Sequence, residues 1–269
     1  MEHFEGHGDQ WNALGFEDGE ILEIIPESIK KGTLAQEYVS ELSDNSEINY
    51  ILYPESNAVQ ICSLILSENN KNTAEAFYPV LEGLKNQIII EELFTWENNL
   101  EGEVEASCCD KINLSFFAPF YKHNFSNMEK DAKVDVYLSG LAFSVEKAVM
   151  ELEIEEGPLY EMALSNYLKD NPQKTKNDFP FVTVSMAGSV IFLPTDTCAV
   201  YEYRGIIHDL EHVTFLGKNI IKAKVPLIKN DDGYDVFINL YFFEGNVKDF
   251  DCKIGDDIQC VIWLTGYIN

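Results

Sequence analysis

The sequence predicts a mainly β protein with a few helices (α+β), in which two sequence-related small antiparallel β-barrel units are joined by a helical connector. Two observations predict the strands and the pairing of units. Apolar residues alternate or run continuously in most segments after residue 47, with turn formers between them. One stretch of the first half also recurs in the second half. A third observation, helical spacing of apolar residues in the acidic segment between the halves, predicts the connector.

Residues 1–47 are predicted to form an acidic N-terminal helical segment. Residues 1–28 contain eight acidic residues and neither Lys nor Arg. A helix is expected over residues 26–42, because Pro26 suits a first helical turn and the apolar residues after it share one face. Glu17, Asp18 and Glu20 are candidates for binding a partner.

Residues 48–145 are predicted to form the first β unit. The stretches INYILYPES, AVQICSLILSE, NQIIIEELFTW and EGEVEASCC have strand patterns, whereas a short helix is expected over residues 73–85. Trp96 follows a strand in a predicted turn. Because exposed Trp side chains often anchor protein interfaces, Trp96 is a candidate partner-binding residue.

A repeat links the two halves. INLSFFAPFY at 112–121 recurs as INLYFFEGNV at 238–247, at an offset of 126 residues. The same offset, without a gap, aligns Leu138 with Leu264 and Gly140 with Gly266. Chance similarity of two aromatic-rich strands is the alternative, but a register kept across an intervening loop favours duplication.

Residues 146–184 are predicted to form an acidic connector with a helix over 158–169. An acidic run, Glu151, Glu153, Glu155 and Glu156, precedes that helix. These four residues are the first candidates for binding a positively charged partner. A solvated acidic face that only maintains solubility is the alternative.

Residues 185–269 are predicted to form the second β unit. Four strand patterns are separated by LGK, NDDG and a loop ending in IGDD, which predicts an antiparallel meander that curls into a small barrel. The Gly-Asp-Asp-Ile hairpin before the last strand resembles those of OB-like and related small barrels. This resemblance implies a fold class and no activity.

The sequence contains no convincing catalytic or metal-binding motif. His208 and His212 are the weak candidates for a metal, but on a strand they would lie about 13 Å apart, too far to share one ion. A solvated strand face is the favoured interpretation of these histidines. Nucleophile-elbow, Walker and dinucleotide-binding patterns do not occur, so neither a cofactor nor an enzyme activity is expected.

Charge suggests the function class. The 46 acidic residues against 19 basic ones give a formal net charge of −27, which repels nucleic acid and anionic membranes. We therefore expect a cytoplasmic, non-enzymatic acidic interaction protein that binds and inhibits a basic protein. The partner would be a toxin neutralised by its immunity protein, or a nuclease or other nucleic-acid-handling enzyme blocked by a nucleic-acid mimic. The alternatives are an OB-like binding module for nucleic acid or a small ligand and, less favoured, a metal-dependent hydrolase.

Overall fold

The fold is mainly β, as predicted, in a computed structural model that describes residues 7–43, 46–108, 112–230 and 232–269. Of Asp18, Ser40, Glu41 and Ser43 it describes the backbone only. The α-helices in this part of the chain are α1 (Gly8–Ala13), α2 (Asp18–Lys31), α3 (Tyr121–Asn124) and α4 (Pro158–Asp170).

The strands fall into three sheets. An N-terminal sheet contains β1 (Thr33–Leu34), β2 (Ser40–Ser43), β3 (Ser46–Tyr53), β4 (Val59–Glu68) and β5 (Lys71–Leu81). A small sheet pairs β10 (Glu151–Ile154) with β11 (Val182–Ser185). The large sheet contains β6 (Leu84–Thr95), β7 (Gly102–Cys108), β8 (Ile112–Phe117), β9 (Lys133–Lys147), β12 (Ile191–Pro194), β13 (Val200–Ile206), β14 (Asp209–Phe215), β15 (Lys218–Asn230), β16 (Gly233–Phe243) and β17 (Asp257–Tyr267).

A central ribbon, formed by β9 paired antiparallel with β17, organises the large sheet. Strands β6, β7 and β8 lead from β9 round to β17, which closes a five-stranded barrel. Four of these strands lie within residues 84–147 and one lies within residues 185–269. The prediction that each half closes its own barrel is therefore not confirmed in that form, because the ribbon strand β17 is needed to close the ring. The OB-like character also stays a prediction.

The remaining strands of the large sheet also extend from the two ribbon strands. Strands β16, β15 and β14 lead away from β9, and β13 pairs with β17. Only Ile207 and His208 separate β13 from β14. The sequence pattern from 201 to 216 predicted one strand, but the chain bends at these two residues and its halves pair with different strands.

The ribbon register relates residues that the 126-residue offset aligns. Ser139 pairs with Thr265, and these two residues are themselves separated by 126 positions. On either side, Gly140 pairs with Leu264 and Leu138 pairs with Gly266. The offset aligns the two leucines with each other and the two glycines with each other. In the ribbon, the glycine of each strand therefore faces the leucine of the other strand.

Alternation along the ribbon separates two hydrophobic cores. Leu138, Leu264 and Ile238 lie on one face of the large sheet and belong to a first core, which is one continuous cluster of buried side chains. The opposite face contributes Leu141 and Trp263 to a second core, which lies against the N-terminal sheet and the helices α1 and α2. Both faces of the ribbon are therefore covered by other parts of the protein.

Two helix predictions in the N-terminal half are wrong. Helix α2 begins eight residues before the predicted start at Pro26 and ends at Lys31. Glu17 N–H donates to the Glu20 carboxylate, which fixes the earlier start. The segment predicted as a helix over 73–85 is mostly strand β5, because Asn69 and Asn70 adopt positive φ angles of 49° and 63° and form a tight hairpin turn.

Candidate functional site

The predicted acidic connector forms an arm, residues 150–185, that projects between β9 and β12. It contains β10, α4 and β11, and the predicted helix over 158–169 is confirmed as α4. Pro158 begins that helix directly after Gly157, whose φ of 93° suits glycine. No residue of the arm belongs to either hydrophobic core, and Tyr160 is its one buried apolar side chain.

The arm has a small packing centre of its own. The Tyr160 hydroxyl donates a 2.7 Å hydrogen bond to the Phe179 carbonyl oxygen, and the Tyr167 ring stacks on the Phe179 ring at 4.9 Å. These contacts hold α4 against the segment that returns to β11. The arm is therefore ordered by local contacts, while its outer surface is left to solvent.

Arg204 fixes the base of the arm. It is the only arginine of the sequence, and only 5% of it is exposed. Its Nη1 atom donates to the Val149 carbonyl oxygen at 2.6 Å and its Nη2 atom to the Met186 carbonyl oxygen at 3.0 Å. Since Met186 N–H also donates to the Met150 carbonyl oxygen, one guanidinium holds both ends of the arm.

A second set of contacts holds the turn that follows β11. Gly188 N–H donates to the buried Asp257 carboxylate, at 3.0 Å and 3.2 Å from its two oxygens. The Gly188 carbonyl oxygen accepts hydrogen bonds from Lys229 Nζ and the Tyr234 hydroxyl. Gly188 has a φ of 62°, and a Cβ there would lie 2.7 Å from the Tyr234 hydroxyl oxygen, so the turn requires glycine.

The four glutamates predicted to bind a partner lie together on the arm. Glu151 and Glu153 are on β10, while Glu155 and Glu156 are in the turn before α4. All four side chains are exposed, and none forms an ion pair with a residue that the structure describes. Their charges therefore act on solvent and on any molecule that approaches the arm.

Exposed apolar side chains accompany these charges. Eleven large apolar side chains are exposed in the described part of the chain, and five of them lie within residues 149–162. These five are Val149, Met150, Leu152, Leu159 and Met162. Apolar side chains clustered on a polar surface are typical of protein interfaces.

A cavity of about 620 Å³ lies between the arm and the outer face of the large sheet. The sheet contributes residues of β9, β12, β13 and β17, and the arm side contributes Val149, Leu152 and Met186. Arg204 lines this cavity, and so does the ion pair between Lys248 and Glu146, whose Nζ and Oε1 atoms are 2.5 Å apart. The lining is mainly apolar with a few polar groups, as is usual for binding cavities.

One member of the second predicted acidic group, Glu20, already forms an ion pair within the protein. The Glu20 carboxylate lies 2.9 Å from Lys218 Nζ, and this hydrogen-bonded lysine lowers the pKa of Glu20. Glu17 is exposed before α2, and the side chain of Asp18 lies outside the described part of the structure. Glu20 is therefore less free to meet a partner than the acids of the arm.

Trp96 is half-buried and packs against the second core. Its ring stacks on His7 at 5.7 Å and contacts Phe117 at 5.2 Å. His7 Nε2 lies 2.9 Å from the Glu101 carboxylate, and both of these side chains are buried. These contacts give Trp96 a structural role in holding α1, although it was predicted as an exposed interface anchor.

The histidine candidates for a metal lie on the surface of the large sheet. His212 is exposed on β14, whereas His208 is exposed in the bend before that strand and contacts the Tyr234 and Phe237 rings. Within the described residues, no group of three or more His, Cys, Asp or Glu side chains could hold a metal ion. The exposure of both side chains agrees with the solvated-face interpretation.

Sequence reasoning missed Arg204 and the cavity. One signal was available, since a single arginine inside a strand pattern of a strongly acidic chain suggests a specific contact. The Cys62 thiol is buried, and burial raises its pKa. None of the described helices is long and apolar enough to span a membrane.

Comparison with protein-family models, with curated proteins and with solved structures found no match to this chain.

Proposed function

We propose that this chain is a non-enzymatic acidic interaction protein that binds and inhibits a basic protein through its arm. The partner class is a nuclease, a toxin or another nucleic-acid-handling enzyme. The observation that carries the proposal is the arm itself. Glu151, Glu153, Glu155 and Glu156 are exposed and have no ion pair with a described residue, and exposed apolar side chains lie beside them.

Charge would act mainly on the rate of association. The formal net charge of −27 attracts a basic protein from solution, and complementary charge raises association rates by roughly 10- to 1000-fold at low salt. Screening limits this attraction to about 8 Å at physiological ionic strength. The acids that matter most are therefore those at the contact, and the arm places four of them within six consecutive residues.

Affinity requires more than charge. Exposed ion pairs contribute only about 0–1 kcal/mol each, so a tight complex also needs apolar contacts that exclude water. Leu152 and Val149 are 44% and 51% exposed beside the acids and could supply such contacts. The Arg204 contacts hold the arm in place before binding, which reduces the entropy lost when a complex forms.

Charge reversal with a matched control tests this function. One variant changes Glu151, Glu153, Glu155 and Glu156 to Lys. The control variant makes the same change in net charge on the N-terminal sheet, at exposed Glu47, Glu55, Glu68 and Glu75. Each protein is immobilised and used to capture partners from cells that express it naturally, across a series of salt concentrations.

The proposal expects a basic protein that wild type and the control both capture and that the arm variant loses. Its capture should weaken as salt rises, because exposed charges are screened. Inhibition is then measured by adding wild type or the arm variant to the purified partner. Capture that is equal for the two variants, or a partner that is not basic, would contradict the proposal.

We also propose that the two β units arose by duplication and keep a common two-fold relation. The support is the ribbon register, in which Ser139 pairs with Thr265. The two glycines that the 126-residue offset aligns each face a leucine of the other strand. Two further pairings are related to each other by the same offset. Strand β8 carries the first copy of the repeated stretch and pairs parallel with β17, and β16 carries the second copy and pairs parallel with β9. Relatives that keep both glycines and the offset would support this origin, whereas relatives with an unrelated second half would contradict it.

A further inference from the structure

Strand β10 has one paired edge and one free edge. Its only strand partner in the described part of the chain is β11, in the antiparallel register that sets Leu152 opposite Val184. The Met186 N–H bond to Met150 shows that these two residues form a hydrogen-bonded pair. Because such pairs alternate in antiparallel sheets, Glu151 and Glu153 turn their N–H and C=O groups away from β11, to the free edge.

The two faces of β10 differ in chemistry. Side chains alternate along a strand, so Glu151 and Glu153 share one face and Leu152 lies on the other. Leu152 lines the 620 Å³ cavity, whose far wall includes Val261 of β17. One short strand therefore presents acids on one face, an apolar cavity on the other, and unpaired main-chain groups between them.

The cavity also holds hydrogen-bonding capacity that the chain does not use. A guanidinium has five N–H donors, and the contacts of Arg204 to Val149 and Met186 use two of them. Its Nε atom has no partner among the described residues, and no described carboxylate forms an ion pair with it. Leaving such a group unsatisfied in a buried position is unfavourable, so an acceptor brought within reach of the Nε–H group would be stabilised.

We infer that the arm binds its basic partner by strand addition, in which an extended partner segment pairs antiparallel with the free edge of β10. Basic side chains alternate with apolar ones in this segment. The residues opposite Glu151 and Glu153 are basic, and the residue opposite Leu152 is apolar and enters the cavity. This inference rests on the proposed function and adds the conformation and the sequence pattern of the segment that is recognised.

Charge selects this occupant over others. A segment of this protein's own acidic chain would place carboxylates opposite Glu151 and Glu153 and would be repelled by them. A neutral strand would leave both edge glutamates without a counter-charge. A basic and apolar alternation satisfies the edge, the acids and the cavity together, and main-chain carbonyls would supply acceptors near Arg204.

Defined peptides test the inference on the wild-type protein. The first probe is a short fluorescent peptide in which Lys and Val alternate, and the second has the same composition with all Lys residues before all Val residues. A third and a fourth copy the alternating peptide with N-methyl groups on the Lys residues or on the Val residues. In antiparallel pairing opposite Glu151 and Glu153, the Lys N–H groups point to β10 and the Val N–H groups point away.

Affinity is measured by fluorescence anisotropy at physiological salt. We expect the alternating peptide to bind at least about tenfold more tightly than the block peptide, because only alternation satisfies both faces. Methylation of the Lys residues should weaken binding by about tenfold or more, and methylation of the Val residues by much less. These four measurements need no protein variant, so they do not depend on whether a variant folds.

Variants then locate the contact. Leu152→Ser and Val261→Ser should each weaken the alternating peptide several-fold, whereas Leu159→Ser, on exposed α4 outside the cavity, should not. Equal binding of alternating and block peptides, with both lost on reversal of the arm acids, would overturn strand addition and leave the proposed function in place. Failure of the capture experiment, by contrast, overturns the proposed function itself.

Discussion

Arg204 Nη2 lies 3.0 Å from the Met186 carbonyl oxygen. This contact joins the large sheet to the arm, which contributes no residue to either hydrophobic core. The same side chain also holds Val149 at the other end of the arm. Arg204 of β13 thus contacts both ends of the arm.

Replacement of Arg204 by Ala should loosen the arm. We expect the free energy of unfolding to fall by about 1.5–3 kcal/mol, the usual contribution of a hydrogen bond to a charged group. Amide hydrogen exchange in β10 and β11 should accelerate more than exchange in the ribbon, because the lost contacts lie at the base of the arm. Hydrogen exchange with mass spectrometry measures both regions in one experiment.

Lys248→Ala is the control for this prediction. It removes an ion pair with Glu146 whose side chains are 58% and 43% exposed, so it should change stability by at most about 1 kcal/mol. It should also leave exchange in the arm unchanged. Unchanged exchange in the Arg204 variant would show that other contacts hold the arm.

Removal of the arm should leave the two cores folded. Met150 and Met186 are joined by a main-chain hydrogen bond of 2.8 Å, so a short glycine linker can connect them in place of residues 151–185. Neither core loses a residue, and we expect the free energy of unfolding to change by at most about 2 kcal/mol. Urea unfolding measures the change, and loss of the cooperative transition would contradict it.

The two glycines that the 126-residue offset aligns should differ in their tolerance of alanine. A Cβ on Gly266 would lie 2.8 Å from Leu138 and 2.9 Å from Phe116, whereas a Cβ on Gly140 would lie 3.1 Å from its nearest neighbour, Ile238. Gly266→Ala should therefore cost about 1–3 kcal/mol through overpacking, and Gly140→Ala should cost less. Urea midpoints compared at equal m values test the order, and a greater cost at Gly140 would refute it.

Stability should fall at alkaline pH. Burial raises the pKa values of Tyr50, Tyr78, Tyr203 and Tyr241 above their ordinary value, and raises the pKa of Cys252 to about 11. Above about pH 10 the unfolded chain ionises these four tyrosines while the native protein keeps them protonated. The unfolded state then binds fewer protons, so the free energy of unfolding decreases as pH rises.

Urea midpoints measured from neutral pH up to about pH 11 would show this decrease, together with a delayed tyrosinate absorbance in the native protein. Constant stability across that range, or early ionisation of all tyrosines, would contradict the buried state of these phenols. Tyr203→Phe should make the decrease smaller, since it removes one of the groups that burial protects.

Local patterns in the sequence predicted much of the secondary structure. Alternation predicted β3, β4 and β15, and Pro158 with helical spacing predicted α4, because these signals depend on neighbouring residues alone. Strand β5 was mistaken for a helix, since its decisive signal is the Asn69–Asn70 turn and its pairing with β4. The exposure of the acidic run of the arm was also predictable, because glutamate side chains are almost never fully buried without a partner.

The sequence by itself determined that the chain is acidic, rich in strands and marked by an internal similarity, since composition and short-range alternation carry this information. Only the tertiary structure decided that both halves share one ribbon, that Arg204 holds the arm, and that Leu152 faces a cavity while Glu151 faces solvent. Each of these contacts joins residues that are distant in sequence. Their formation depends on which sheet edges meet and which faces are covered, and no local pattern specifies either.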